Sequence, residues 1–335
     1  MKKLLLAGVT FLTAALLLTG GAAAGLSENL NVTYHIGESY TDIQSADAAA
    51  DGYYLAVLHD GIISLMKTDA NGKQVWSCDN LTGNEARGVT ALSEGGCVFL
   101  TTDGTDSTLY RVSADGKVVY ELPLPGIGIG ANPIVVSGGQ IKLAGWFTDT
   151  DRGFTQSFLL STGAPANDQL TLPENRVPSS IIADGDAYIL VGGTSGKAGN
   201  ASSEAWIMKM KNGGVIVYDK VIRTGYKDAQ YGNGSAAFVV CKTSDGGYAV
   251  AGSATPFDLT TVNGLIWAAK LTADGDVVWD KDLKGQIPAG IAQIGSQYII
   301  AGFGWSAPFY ITLTEGGATA EVVYPENPGQ FNDLV

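Results

Sequence analysis

The chain has 335 residues, with 33 acidic and 20 basic side chains and a formal charge of −13. Nonspecific nucleic-acid affinity rests on lysine and arginine neutralising phosphates, so this acid excess, with no basic cluster, argues against a nucleic-acid partner. A single hydrophobic core stops growing near roughly 250–300 residues, so the length calls for two domains or an internally repeated fold.

Residues 1–24 read as a signal peptide, because Lys2 and Lys3 precede an apolar run from Leu4 to Leu18 and Ala22-Ala23-Ala24 offers small residues for cleavage. That run is shorter than the roughly 20 residues that span a bilayer. No cysteine follows it directly, so the bacterial lipoprotein pattern is absent. The mature chain is expected to be exported without a membrane span: secreted, extracellular or at the cell surface, or periplasmic in a Gram-negative host. Loss of the two lysines takes its charge from −13 to −15.

Leu30 to Ile36 resembles an outermost strand, with Tyr34 lying 42 residues before Trp76. It is expected to close a ring by pairing with the last repeat, which removes an exposed edge.

The repeat itself begins near residue 42. Lys67–Trp76, Arg111–Tyr120, Lys209–Tyr218 and Lys270–Trp279 align without gaps on Gly72, Gly116, Gly214 and Gly275. In each, a basic residue lies five before the glycine and an aromatic four after it. Asn71-Gly72, Asp115-Gly116 and Asp274-Gly275 are hairpin turn pairs, since Asn, Asp and Gly tolerate positive φ. Upstream of each hairpin, an acidic or glycine turn leads into an apolar strand, giving six reference positions: Tyr53, Cys97, Ile141, Tyr188, Tyr248 and Tyr298. Their spacings are 44, 44, 47, 60 and 50. A period of this size, with four short strands per unit, predicts an all-β fold, a single β-propeller over residues 25–335. Six four-stranded blades are expected, at 42–80, 87–124, 131–173, 176–222, 235–283 and 286–324; a seven-bladed ring is the alternative. In the third blade Ser161–Asn167 replaces the tight turn, and Gly126 to Gly130, between Pro125 and Pro133, reads as a loop between blades. Of Cys78, Cys97 and Cys241 at least one must be unpaired; all three read as small core residues, with a Cys78–Cys97 bridge the other option.

The fullest repeat, Thr243 to Asp280, combines Asp245-Gly246-Gly247-Tyr248, Ala251-Gly252, Trp267, Lys270-Leu271, Asp274-Gly275 and Trp279. It resembles the secreted prokaryotic propeller repeats grouped with delta-sixty and PQQ-like propellers. The resemblance implies architecture and carries over no catalytic residue.

Loops joining strands two to three, and each blade to the next, share one propeller face. On that face Thr148–Thr155, Thr194–Glu204, Lys220–Ser235 and Ser253–Gly264 are long, whereas opposite-face turns are mostly tight Asp-Gly or Gly-Gly pairs. Long loops are costly to order and are commonly kept for binding. Candidate ligand contacts are therefore Trp146 and Trp305, with Asp103, Asp106, Asp149, Asp151, Tyr226 and Tyr231. Aromatic faces with carboxylates suit a sugar or a peptide. Asp149 and Asp151 are weak Ca²⁺ candidates; no other cofactor is implied. Asn31, Asn80, Asn200 and Asn233 begin glycosylation tripeptides, meaningful only in a host that glycosylates exports.

Catalytic motifs are wanting. His35 and His59 are the only histidines, Gly-x-Ser-x-Gly does not occur, and Gly192–Lys197 lacks P-loop spacing. A sialidase needs an arginine triad and an Asp-box glycine one place later than Gly275. The expectation is a noncatalytic binder of a protein or glycan at the cell surface or in the extracellular space. The alternatives are an extracellular glycan hydrolase or lyase and a structural envelope module.

Overall fold

The computed structural model describes residues 11–13, 31–33, 41–194, 204–223, 234–255, 265–284, 287–303 and 308–323, in which all regular structure is β-strand. No helix among them is long and apolar enough to cross a membrane. From residue 41 onward the strands form four separate four-stranded sheets and one eight-stranded sheet, in a propeller-like arrangement. The eight-stranded sheet consists of two antiparallel four-stranded sets joined by one parallel bridge, Asn132 to Ser180. In chain order the sets, here units one to six, occupy 41–81, 85–124, 127–171, 176–223, 234–284 and 287–323.

Middle strands lie between neighbouring sheets on both faces, so they are apolar without alternation: Cys97–Thr102 is buried throughout. Outermost strands touch a neighbour on one face only, and Val118–Leu124 accordingly alternates exposed and partly buried positions. Hydrophobic clusters fill the interfaces between consecutive units. Tyr54, Ile63 and Leu65 of unit one meet Cys97, Phe99 and Tyr110 of unit two; Ile207 and Ala205 of unit four meet Tyr248 and Trp267 of unit five.

The aligned glycines have two jobs. Gly72, Gly116, Gly214 and Gly275 adopt φ of 78°, 81°, 81° and 79°, which closes each hairpin. Gly116 and Gly275, with the turn glycines Gly163 and Gly317, also seat an aromatic of the preceding unit. A Cβ on Gly116 would lie 2.8 Å from the Trp76 indole, one on Gly163 2.9 Å from Tyr120, one on Gly275 2.7 Å from Tyr218 and one on Gly317 2.7 Å from Trp279. Each outer-strand aromatic thus rests on the turn of the next unit. Trp76 and Trp279 add indole hydrogen bonds to the carbonyls of Ala114 and Glu315, at 2.9 and 3.0 Å. The basic position of the repeat has an equally regular partner, the acid of the upstream turn: Lys67–Asp51 at 2.7 Å, Arg111–Glu94 at 3.2 Å, Lys209–Asp184 at 2.7 Å and Lys270–Asp245 at 2.9 Å.

Each innermost strand breaks register with its neighbour: between Ile43 and Ser45, Arg87 and Thr90, Ile129 and Ile134, Pro178 and Ser180, Ala237 and Val239, and Pro288 and Gly290. Bulges here bend strands that crowd one another. The largest corrects the expected inter-blade loop: Gly126 is the turn, and Ile127–Ser137 is the innermost strand of unit three. Gly130 and Gly88 show why glycine sits there, since a Cβ would lie 2.4 Å from Ser179 Cα and 2.8 Å from Pro133 Cδ respectively. Between units one and two, side chains replace sheet pairing: the amides of Ala86, Val89 and Ala91 donate to Gln44, Ser45 and Asp47 at 2.7, 3.1 and 2.7 Å.

Asn31–Thr33 pairs antiparallel with Phe11–Thr13, a different partner from the sixth unit expected for it. The remainder of 30–36 and most of 1–24 lie outside the described residues. Cys78, Cys97 and Cys241 are all free thiols, which corrects the Cys78–Cys97 bridge option. Burial raises the pKa of all three, that of Cys241 to about 12, and so suppresses the reactive thiolate. The unreduced protein, unfolded in denaturant, should therefore alkylate at three cysteines by mass spectrometry, with Cys97 protected before unfolding. A single alkylatable cysteine would mean that the bridge forms.

Candidate functional site

The site is built on the end of unit three. Its second strand, Gln140–Phe147, and its third, Arg152–Leu159, are joined by a turn at Thr148–Asp151, shorter than the Thr148–Thr155 loop expected. The amides of Thr150 and Asp151 both reach the Phe147 carbonyl, at 3.3 and 2.8 Å, and Thr148 donates to Gly126 at 2.9 Å. Asp151 takes φ of 53°, a conformation Asp tolerates.

Trp146, next to last in the second strand, lies directly across from Gly128 on one side and Gly153 on the other. Glycine on both neighbours leaves no side chain to compete for the space, so the indole settles over backbone. A Cβ on Gly128 would lie 2.3 Å from the ring. The other described tryptophans are committed. Trp206 and Trp267 are fully buried between units and donate to the carbonyls of Gly193 and Ser253, at 2.9 and 3.1 Å, while Trp76 and Trp279 hold the rim contacts described above. Among the described residues only Trp146 lacks such a bond. It is half-buried, and its indole nitrogen is not one of the buried polar atoms left without a partner, so it keeps contact with solvent.

Arginines sort in the same way. Arg87 pairs with Glu85, Arg111 with Glu94, Arg176 with Asp219, and Arg223 with Asp280 and Asp282. Arg176 and Arg223 also stand 5.7 Å from the rings of Trp206 and Trp267, which seals those indoles under a cation. Arg152, at the start of the third strand, is exposed and makes no ion pair among the described residues. Sequence reasoning passed over it because nothing in the chain marks which arginines have partners.

The candidate carboxylates divide. Asp149 and Asp151 are exposed at the tip of the Trp146 turn. Asp103 and Asp106 are employed structurally. The amides of Asp106 and Thr105 donate to Asp103 at 2.8 and 2.9 Å and hold its carboxyl below the ordinary range, and Gly126 donates to Asp106 at 2.7 Å. Trp305, Tyr226 and Tyr231 lie outside the described residues, as do Asn200 and Asn233. Asn80 is exposed near the end of an outermost strand with φ of 62°, and Asn31 starts the short Asn31–Thr33 strand. Among the described residues no three His, Cys, Asp or Glu side chains gather as a metal site.

Deeper carboxyl groups belong to the scaffold. Burial raises the pKa of Asp47, outweighing its hydrogen bonds from Ala91 and Ala48. At Asp184 burial is overcome by hydrogen bonds from Lys209, Lys242 and Tyr248, and the carboxyl is held far below its ordinary range.

No family model and no curated protein matches this chain. Solved structures do. The chain is similar to a protein from Bacteroides fragilis NCTC 9343 provisionally named as a 6-phosphogluconolactonase, with 13% identity, TM-score 0.58 and coverage of 100% of this chain and 98% of that one. It is similar to a catalytically inactive virginiamycin B lyase from Staphylococcus aureus with quinupristin, with 16% identity, TM-score 0.53 and coverage of 85% and 84%. A third similarity, to the Dos1 propeller, has 9% identity, TM-score 0.51 and coverage of 85% and 74%. Likenesses at such low identity speak for the fold alone, and together with the sheets they make this chain a β-propeller.

Proposed function

We propose that the chain is an exported, noncatalytic, six-bladed β-propeller that binds a protein or glycan at the cell surface through the face around Trp146. The observation that carries the binding reading is the uncommitted indole of Trp146, at the same end of the unit-three sheet as Arg152, Asp149 and Asp151, in a protein whose other described tryptophans and arginines are engaged. Export rests on the leader-like segment 1–24. The six-bladed reading is supported by the six four-stranded sets that follow one another in chain order and by the hydrophobic clusters that fill the interfaces between consecutive sets. Against the alternative of a glycan hydrolase or lyase stands the employment of Asp47, the one carboxyl raised above its ordinary range among the described residues: it accepts from Ala48 and Ala91 at 2.8 and 2.7 Å, which suits structure better than acid catalysis.

A binding screen of residues 25–335 against glycan and peptide arrays tests the reading. Trp146→Ala is expected to lower affinity for the retained ligand at least about tenfold, since a stacked ring contributes on this scale. Gly128→Ala provides a second approach, because its Cβ would meet the indole at 2.3 Å and displace it without removing it. Full binding by both folded variants would overturn the proposal.

A further inference from the structure

Resting on that reading, we infer that the ligand is an oligosaccharide, with one sugar ring on Trp146 and a second unit reaching Arg152 across the end of the unit-three sheet. The shape of the platform comes first. Trp146 is flanked in both adjacent strands by glycine, at positions 128 and 153, so its surroundings within the sheet are flat backbone and offer no side-chain pocket for a peptide anchor. A flat aromatic surface with one open N–H donor matches the apolar face of a sugar ring and a neighbouring hydroxyl oxygen.

The charges around it point the same way. Asp149, Asp151 and Arg152 crowd one turn, and their charges sum to only −1. Such a set favours neither a free cation nor a free anion. It does supply acceptors and donors side by side, which is what vicinal hydroxyls require, since each hydroxyl both donates and accepts. Asp149 and Asp151 are exposed, and no described residue claims their carboxylates.

Register sets the length. Trp146 pairs with Gly153 and Phe147 with Arg152, so Trp146 and Arg152 project from opposite faces of the same sheet. Side chains on opposite faces of a strand pair diverge, so a single sugar ring stacked on Trp146 does not also reach the Arg152 guanidinium. A ligand touching both must pass over the Thr148–Asp151 turn, as two or more linked sugars would.

Titration calorimetry of the mature chain with a tetrasaccharide selected from a glycan array, and with its constituent monosaccharide, tests this. The tetrasaccharide is expected to bind at least about tenfold more tightly than the monosaccharide, with Trp146→Ala weakening both and Trp146→Phe, which keeps an aromatic face, retaining most of the affinity. Arg152→Ala should weaken the tetrasaccharide about three- to tenfold and leave the monosaccharide unchanged. Trp146-dependent binding found only for peptides would overturn the saccharide assignment while leaving the binding face standing. Equal affinity for the two sugars, or an Arg152→Ala variant indistinguishable from wild type on the tetrasaccharide, would overturn the two-unit geometry. Absence of any Trp146-dependent ligand would remove the face itself.

Discussion

Trp267→Ala is expected to cost about 3–5 kcal/mol of folding stability, the range for deleting a large aromatic from a packed core. The indole is wholly buried, donates to the Ser253 carbonyl at 3.1 Å and lies beneath the Arg223 guanidinium. Gly252 makes the space: a Cβ there would come 2.7 Å from the ring. Removing the ring opens a void between units four and five and uncovers an arginine whose carboxylate partners, Asp280 and Asp282, sit on unit five. Guanidinium unfolding followed by circular dichroism should show the midpoint falling well below that of Trp146→Ala, whose ring is only half-buried. Comparable midpoints for the two variants would refute the assignment of Trp267 to the core and Trp146 to the surface.

Asp184→Ala should cost about 2–4 kcal/mol, toward the lower part of the range for breaking a buried charge pair because the lysines keep some water. The carboxylate is nearly buried and binds Lys209 and the Tyr248 hydroxyl at 2.7 Å each, together with Lys242. Its removal leaves two ammonium groups and two phenols facing one another, for Tyr218 lies against the same cluster. The pH dependence follows from sign. Because the folded carboxyl is held far below its ordinary range, its contribution is complete above the unfolded pKa of about 3.9 and is lost as pH falls toward the folded value. Urea midpoints measured from pH 7 down to pH 2 should therefore drop more steeply for wild type than for Asp184→Asn. Parallel curves would show that the network contributes nothing to acid sensitivity.

The hairpins were legible in the chain because every aligned turn needs positive φ, which Gly72, Gly116, Gly214 and Gly275 all supply. At Gly116 and Gly275 a second reason adds to it, since they must also admit the Trp76 and Tyr218 rings. The ion pairs were half legible: the basic position was evident, but its acid comes from a turn some 15 to 25 residues upstream in the chain, as with Asp51 and Lys67 or Asp184 and Lys209. Gly126 to Gly130 misled, since glycines between prolines signal a loop when viewed locally. Here they answer to distant neighbours, Trp146 and Ser179, that no local pattern reveals. The same limit governs the site. Trp146 and Trp267 are alike as residues, and what separates them is the strand opposite and the arginine above. Asp103 and Asp106 attracted notice as acids on a loop, yet their oxygens are taken up by amides within and beside that loop.

The aromatic-on-glycine contacts between units, Trp76 on Gly116, Tyr120 on Gly163, Tyr218 on Gly275 and Trp279 on Gly317, run in one direction only: the ring belongs to the earlier stretch of chain and the glycine to the later one. A polypeptide emerging N-terminus first therefore never has to wait for a distant part of itself before docking its newest sheet, because the ring that receives each fresh turn is already in place. Assembly can follow the order of emergence, and a unit gained or lost in the middle would leave the remaining contacts complementary.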